Sequence, residues 1–390
     1  MKPGPAILRN AGMFNGIPVS IALLLGVAAC ADGRFPASRE VPVYEGSIDL
    51  EVGEVEGEDP YLFTTIGSVV ADDRGRLIVA DYQTHEVRVF EPDGRFAFRF
   101  GGQGEGPGET TNPCCMTFGP DGLLWVRESY RYSAFSLGAA GAEYVRSLRS
   151  VNAAINLIAP VTFDAEGRLV DLGMPAGETR FTRFHLGPGT AVDTVPMSAS
   201  GQQATGSSQI DVMVGDQAFS FFVYQPFGPL WLHGHGPEGR WATAVSSAYS
   251  VTLHHPDRST SAIEDPLRGP ELTPDERRRA QAQIDREKER FDVREHPFGI
   301  PDRKPVLAGL FFDRAGRLWV EKTGVDGQEM READVYRRDT LVARYRWPRR
   351  VSHRGSLWVT ETTLYGTTRD SLDVRRAARV RFNRVPGRDQ

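Results

Sequence analysis

Residues 66–100, IGSVVADDRGRLIVADYQTHEVRVFEPDGRFAFRF, hold four short apolar runs separated by polar turns. The runs 66–71, 76–81, 86–90 and 95–100 have the length of β-strands, and two of the turns, Asp72-Asp73-Arg74-Gly75 and Glu91-Pro92-Asp93-Gly94, end in glycine. Glycine in the last place supplies a positive φ, proline presets φ in the second, and aspartate in the first can bond its own backbone. Leu77-Ile78-Val79-Ala80 is apolar on both faces, which suits an inner strand covered on both sides. Phe96, Phe98 and Phe100 alternate with Arg95, Ala97 and Arg99, so that run belongs at the outside, with one wet face.

The pattern recurs along the chain. Gly119-Pro120-Asp121-Gly122, Asp164-Ala165-Glu166-Gly167, Gly236-Pro237-Glu238-Gly239, Asp313-Arg314-Ala315-Gly316 and Ser352-His353-Arg354-Gly355 are further turns of this kind. Leu124-Trp125-Val126, Leu318-Trp319-Val320 and Leu357-Trp358-Val359 repeat the inner-strand signature, and Leu169-Val170 is a weaker copy. The spacings from turn glycine to turn glycine are 47, 45, 72, 77 and 39 residues. Three of these fit a four-stranded unit of about 40–50 residues, and two carry insertions. One such sheet cannot cover both of its apolar faces, whereas a closed radial ring of them can. The expected fold is all-β: a six-bladed β-propeller of four-stranded antiparallel blades, with one surface helix inserted at about 273–291.

The segment from Val69 to Glu109, with its trailing GGQGEGPGE, resembles an NHL-type repeat of the kind that opens the six-bladed, TolB-like propellers of bacterial lipoproteins and secreted proteins. The resemblance implies a six-bladed ring and no single activity. It also implies a bracing pair, the Asp after the inner strand and an Arg in the next strand, matched here by Asp81 and Arg88. The second unit departs from this pattern, with Glu128 in place of the Asp and a shorter connection.

Toward the N-terminus, Lys2 and Arg9 precede an apolar stretch of 11 residues, 17–27, which is too short to span a bilayer. Val27-Ala28-Ala29-Cys30 resembles the bacterial lipobox, in which small residues suit the signal peptidase and the Cys thiol takes the lipid. Residues 1–29 are thus expected to be a lipoprotein signal peptide and 30–40 a lipidated tether on Cys30. Residues 41–385 are the expected propeller, with the extended segment 41–55 closing the last blade. That blade has strands expected near 349–353, 356–361 and 376–383 and needs a fourth. Ala31 is not the Asp that favours inner-membrane retention, so the expected address is the outer membrane, facing the periplasm.

The formal net charge of −5 argues against nucleic acid as a partner. Besides Cys30 the chain has only the adjacent pair Cys114-Cys115, so there is no disulfide framework. The pair has three open readings: two reduced small hydrophobes, a vicinal disulfide, or a soft-metal or redox site. Thr273-Pro274-Asp275-Glu276 starts a helix with a capping box and Pro in the first turn, and the helix runs to about Phe291 with few apolar positions.

Outer-to-inner connections between blades open on one side of a propeller, and three of them here are long: 101–112, 197–227 and 264–305. Cys114 and Cys115 lie beside the first, with Gln103, Glu105 and Glu109 on it, so these five are the candidate ligand face. The glycines of 101–109 do not form a phosphate cradle, because no Lys-Ser/Thr follows and no helix opens there. His233 and His235 share a side if extended and are weak metal candidates without a visible third ligand. No GxSxG, HExxH, EF-hand or CxxC motif is present.

No cofactor is expected, with Ca2+ or Zn2+ as the open possibilities. The function read from these features is a membrane-anchored module that binds a small molecule, glycan or envelope protein through its loop-rich face. The alternatives are a metal-dependent hydrolase or lyase of the six-bladed lactonase-like type, and a structural part of an envelope complex.

Overall fold

The computed structural model describes residues 41–150, 161–173, 182–187, 192–196, 206–214, 217–352, 358–370 and 373–386. Cys30 and the segments on either side of it lie outside these residues. After strand β1 (Val43–Val52) comes a four-stranded antiparallel sheet of β2 (Ile66–Ala71), β3 (Leu77–Asp81), β4 (Glu86–Phe90) and β5 (Phe96–Gly101). The second sheet holds β6 (Cys114–Phe118), β7 (Leu124–Arg127), β8 (Arg131–Leu137) and β9 (Ala142–Arg149). The third holds β10 (Thr162–Phe163), β11 (Leu169–Gly173), β12 (Thr182–Leu186) and β13 (Val192–Pro196).

A separate hairpin, β14 (Ser207–Val214) with β15 (Gln217–Tyr224), occupies the connection that was expected to be a Ser/Gly-rich loop. A fourth sheet follows with β16 (Trp231–His235), β17 (Trp241–Val245), β18 (Ser250–His254) and β19 (Thr260–Glu264), and then helix α1 (Pro274–Phe291). Next come β20 (Leu307–Phe312), β21 (Leu318–Lys322), β22 (Met330–Arg337) and β23 (Thr340–Pro348), and finally β24 (Trp358–Val359), β25 (Thr363–Arg369) and β26 (Arg375–Arg384). These last seven strands and β1 form one sheet in the order β20-β21-β22-β23-β1-β26-β25-β24.

The turns follow their chemistry. In 72–75 the Gly75 amide donates to Asp72 O, the Asp72 carboxylate accepts from the amides of Arg74 and Arg76, and Gly75 has φ +78°. Turns 164–167 and 313–316 repeat this arrangement. Turn 236–239 differs: the Gly239 amide donates to Phe163 O of the neighbouring sheet, which fastens the third and fourth sheets together. Turn 352–355 lies mostly outside the described residues.

The strand order corrects one expectation. Strand β3, with all five residues buried, is second in its sheet; β2 occupies the first place. A strand covered by sheets on both faces must be apolar throughout, whereas the first strand borders a cavity and accommodates Gly67 and Ser68. The last unit is a second correction. Its second strand is β25, TLYGTTR, which the expected set omitted, while 349–353 contributes only a bridge between Ser352 and Thr367. Gly366 permits that approach, since a Cβ there would lie 2.5 Å from Ser352 O.

Strand β1 pairs antiparallel with β26 from Tyr44↔Arg384 to Val52↔Ala377, and its first residues also pair parallel with β23, Val43↔Arg344 to Glu45↔Arg346. Its far end meets the first sheet: Leu50 and Val52 face the Gly94 turn, and the Arg379 guanidinium donates to Pro92 O at 3.0 Å.

Successive sheets touch throughout. Phe100 stacks near Phe135 at 4.8 Å, Trp125 meets Phe163 at 5.8 Å, and Tyr249 OH donates to Asp334 at 2.9 Å. In one core cluster Trp319, Tyr345 and Trp347 come together, all fully buried.

Helix α1 starts as its residues require: the Glu276 amide donates to the Thr273 hydroxyl and the Thr273 amide donates to the Glu276 carboxylate. It buries only Glu276, Ala280 and Ile284, and its last residue, Phe291, stacks on Phe221 of β15 at 5.0 Å. The two insertions therefore pack on one another. No helix among the described residues is long and apolar enough to cross a membrane.

Candidate functional site

The first strands of the sheets converge on a cavity of about 250 Å³. Ser68 of β2, Cys115 of β6, His233 and His235 of β16, Phe311 of β20 and Trp358 of β24 all line it. Its wall continues into Gly119, Pro120, Asp164, Pro237, Glu238 and Arg314, which are residues of the tight turns. The cavity thus reaches the turn side of the sheets. Of the five residues expected on the ligand face, only Cys115 lines it.

Residues two apart on a strand share a face, which brings His233 and His235 together. His233 Nδ1 lies 3.2 Å from His235 Nε2, and the Trp231 ring lies tilted against His233 with centroids 4.8 Å apart. Burial lowers the His233 pKa to about 4. His235 is also held well below the usual imidazole value by burial, by His233 and by the Arg183 guanidinium, so both rings are neutral at physiological pH. Among the described residues no group of three or more His, Cys, Asp or Glu side chains is placed to hold a metal ion. The pair supplies two nitrogen donors only.

The carboxylates on the wall already have partners. Asp164 accepts from Arg168 Nε and from His185 Nδ1, both at 2.8 Å. Burial opposes its ionisation, but these two bonds outweigh burial and hold its pKa below the usual range. Glu238 pairs with Arg240 at 2.6 Å, and Asp313 accepts from Arg317 Nε at 2.6 Å and Trp319 Nε1 at 3.0 Å. Arg314 is different: its guanidinium lies over the Trp358 ring, 4.2 Å from the centroid, and makes no ion pair with a described residue. The wall therefore combines aromatic rings, two neutral imidazoles, neutralised carboxylates and one unpaired cation among the described residues.

Cys114 and Cys115 sit at a bulge, where the β6–β7 register slips between Cys114 and Thr117. Cys115 has φ +52°, so two neighbours that would point to opposite faces of a regular strand turn their sulfurs together, 2.6 Å apart. Cys115 is buried and Cys114 partly so. The Cys115 thiol and burial raise the pKa of Cys114 well above the ordinary thiol value.

Behind this pair lies a group that sequence reasoning missed. Arg127, opposite Cys114 in the ladder, pairs with Asp171 of the third sheet at 3.2 Å, and Tyr132 OH donates to the same carboxylate. Burial raises the Asp171 pKa despite Arg127.

The Gly-rich loop is held from beneath. Gln103 bridges to Thr110, and Glu109 accepts from the Gly106 amide at 2.7 Å. Arg131 donates to the carbonyls of Glu105 and Glu109 while Glu128 accepts from Arg131 and from the Thr111 amide. Glu105 faces a separate surface hollow together with Tyr130 and Arg149.

Asp81 and Arg88 do not pair with one another, which corrects the expectation. The Asp81 carboxylate accepts from the amides of Thr64 and Thr65, and Arg88 donates to Glu86 and to the Leu62 carbonyl at 2.6 Å. Each ties the strand to the incoming segment 59–65 from its own side. The segment itself supplies the partners: the carbonyls of Asp59, Pro60 and Leu62 accept from Arg88, and the amides of Thr64 and Thr65 donate to Asp81.

A family model described as a six-bladed β-propeller matches residues 45–114, under a fifth of the chain. With the small consecutive antiparallel sheets, this places the chain among the β-propellers. No curated protein sequence matches it. Among solved structures the chain is similar to virginiamycin B lyase from Staphylococcus aureus, with 9% identity over 87% of this chain and 99% of that one and a TM-score of 0.42. It is also similar to regucalcin, a calcium-binding protein from Agrobacterium tumefaciens, at 10% identity, 87% and 96% coverage and a TM-score of 0.38. A gluconolactonase from Xanthomonas campestris shows 12% identity, 82% and 88% coverage and a TM-score of 0.38. None of these likenesses assigns chemistry to this chain.

Proposed function

We propose that this chain is a six-bladed propeller, with β1 completing the last blade, exported and anchored by lipid on Cys30. Its role is to bind a small amphiphilic molecule in the channel cavity. The observation that carries this reading is the composition of the wall: Phe118, Phe163, Phe311, Phe312 and Trp358 offer an apolar sleeve, and Arg314 at the turn side lies over the Trp358 ring without a carboxylate partner among the described residues. Pockets of this type bury the apolar body of a ligand and orient it with a few polar groups. A ligand with an anionic end would place that end on Arg314, and the neutral imidazoles of His233 and His235 would contribute hydrogen bonds deeper inside.

The test is calorimetric titration of the mature protein with a short aromatic carboxylate and its uncharged amide. The expected result is saturable binding of the carboxylate, weakened about tenfold or more in Arg314→Gln, corresponding to roughly 1.4 kcal/mol or more. Failure of both compounds to bind would overturn the reading. Lipidation is tested separately by mass spectrometry of the membrane-extracted protein, where an unmodified Cys30 would overturn the anchor. An enzymatic reading would require a metal on His233 and His235, and stoichiometric Zn2+ in the purified protein would favour it over simple binding.

A further inference from the structure

We infer that Cys114 and Cys115, the second of which lines the cavity, form a redox-active dithiol that a low-molecular-weight disulfide oxidises to a vicinal disulfide. Three observations carry this. The left-handed backbone at Cys115 and the bulge beside it bring both sulfurs to one side and into contact, so the geometry that a regular strand forbids is already in place. The two thiols differ in access: Cys115 is only 1% exposed, whereas Cys114 keeps some exposure and is the one a reagent meets first. Arg127 lies across the ladder from Cys114 and partly offsets the Cys115 thiol and the burial that hold the Cys114 pKa high, its own charge being balanced by Asp171.

The reaction balances as two exchanges. The Cys114 thiol loses its proton and attacks one sulfur of the incoming disulfide, forming a Cys114 mixed disulfide and releasing one thiolate. The Cys115 thiol loses its proton and attacks Cys114 Sγ, forming the Cys114–Cys115 bond and releasing the second thiolate. The two protons end on the two released thiols; the protein pair is oxidised by two electrons and the small disulfide is reduced by two. Closure would replace the Cys115 thiol in the wall of the cavity by a disulfide sulfur next to Met116 and Thr117.

The experiment uses the full mature chain, reduced, desalted and incubated with oxidised glutathione. The sample is acid-quenched, unfolded, treated with N-ethylmaleimide and digested with trypsin, and the peptide 100–127 is weighed. The expected species carries no maleimide and is two hydrogens lighter than the dithiol. Cys115→Ser is expected to stop at a glutathione adduct on Cys114. Two maleimide adducts in the parent chain, or a glutathione adduct that persists there, would overturn the inference. Because these readouts are made on the parent chain, they hold even where the variant folds poorly.

Discussion

Arg379 of β26 donates from Nε to Asp49 of β1 at 2.9 Å, joining two residues that stand near opposite ends of the described chain. Arg381 adds a second bond to the other oxygen of the same carboxylate at 2.8 Å. Burial opposes the ionisation of Asp49, but the two guanidinium bonds outweigh it and lower its pKa. The pair is partly solvated, so Asp49→Ala alone is expected to cost no more than about 1 kcal/mol. Deleting residues 41–52 removes a whole strand with its Leu50 and Val52 contacts and should abolish the single cooperative thermal transition. Differential scanning calorimetry of both variants checks this; an unchanged midpoint in the deletion would show that β1 contributes nothing to closure.

Three histidines, His235 buried and His233 and His254 half-buried, set an acid limit. Burial lowers the pKa of His233 and of His254 to about 4 and holds that of His235 well below the usual value. The unfolded chain binds protons at these groups below about pH 6.5, the folded chain only near pH 4 or below. Stability is therefore complete above pH 6.5 and falls as pH drops toward 4, by up to about 1.4 kcal/mol per pH unit for each group. Urea melts at pH 7, 5.5 and 4.5 should show this decline, and His233→Gln should flatten it. A decline of equal slope in that variant would assign the effect to other groups.

Asp171 neutralises Arg127 in a site from which water is excluded. Asp171→Ala would leave the guanidinium buried without its partner and is expected to destabilise the fold by about 3–5 kcal/mol. Replacing both residues with apolar ones of similar size should recover much of that loss. Denaturant midpoints of the single and double variants decide between the two outcomes.

Glu276 serves two partners, the Thr273 amide that caps α1 and the buried Lys304 ammonium, 2.7 Å from its other oxygen. Thr273→Ala should cost about 1 kcal/mol, the usual worth of a cap. Glu276→Ala should cost clearly more, because Lys304 keeps only the Gly324 carbonyl as partner. Hydrogen exchange in α1 should rise in both, but segment 304–306 should loosen only in the second.

What could be seen in advance divides along physical lines. Gly75, Gly167 and Gly316 were visible because a positive φ demands glycine and leaves a local mark. His233 and His235 were visible for a similar reason, strand periodicity acting over three residues. Arg127 with Asp171 was not, because their meeting depends on how two sheets stack, which no local pattern encodes. Strand β25 was passed over because Thr363, Gly366, Thr367 and Thr368 dilute its apolar signal; its burial comes from neighbours, not composition. The Asp81–Arg88 expectation failed because the backbone of segment 59–65 offers both side chains better partners than each other.

Strand β1 pairs with β23 and β26, and its Leu50 and Val52 reach Gly94 of the first sheet. Any pull on the residues that precede Val43 is therefore delivered along a strand clamped on both edges. Antiparallel and parallel hydrogen bonds must then yield together in shear, not one at a time as in peeling a hairpin. The same strand holds β23, β26 and the first sheet together, so the force that detaches β1 is also the force that parts them.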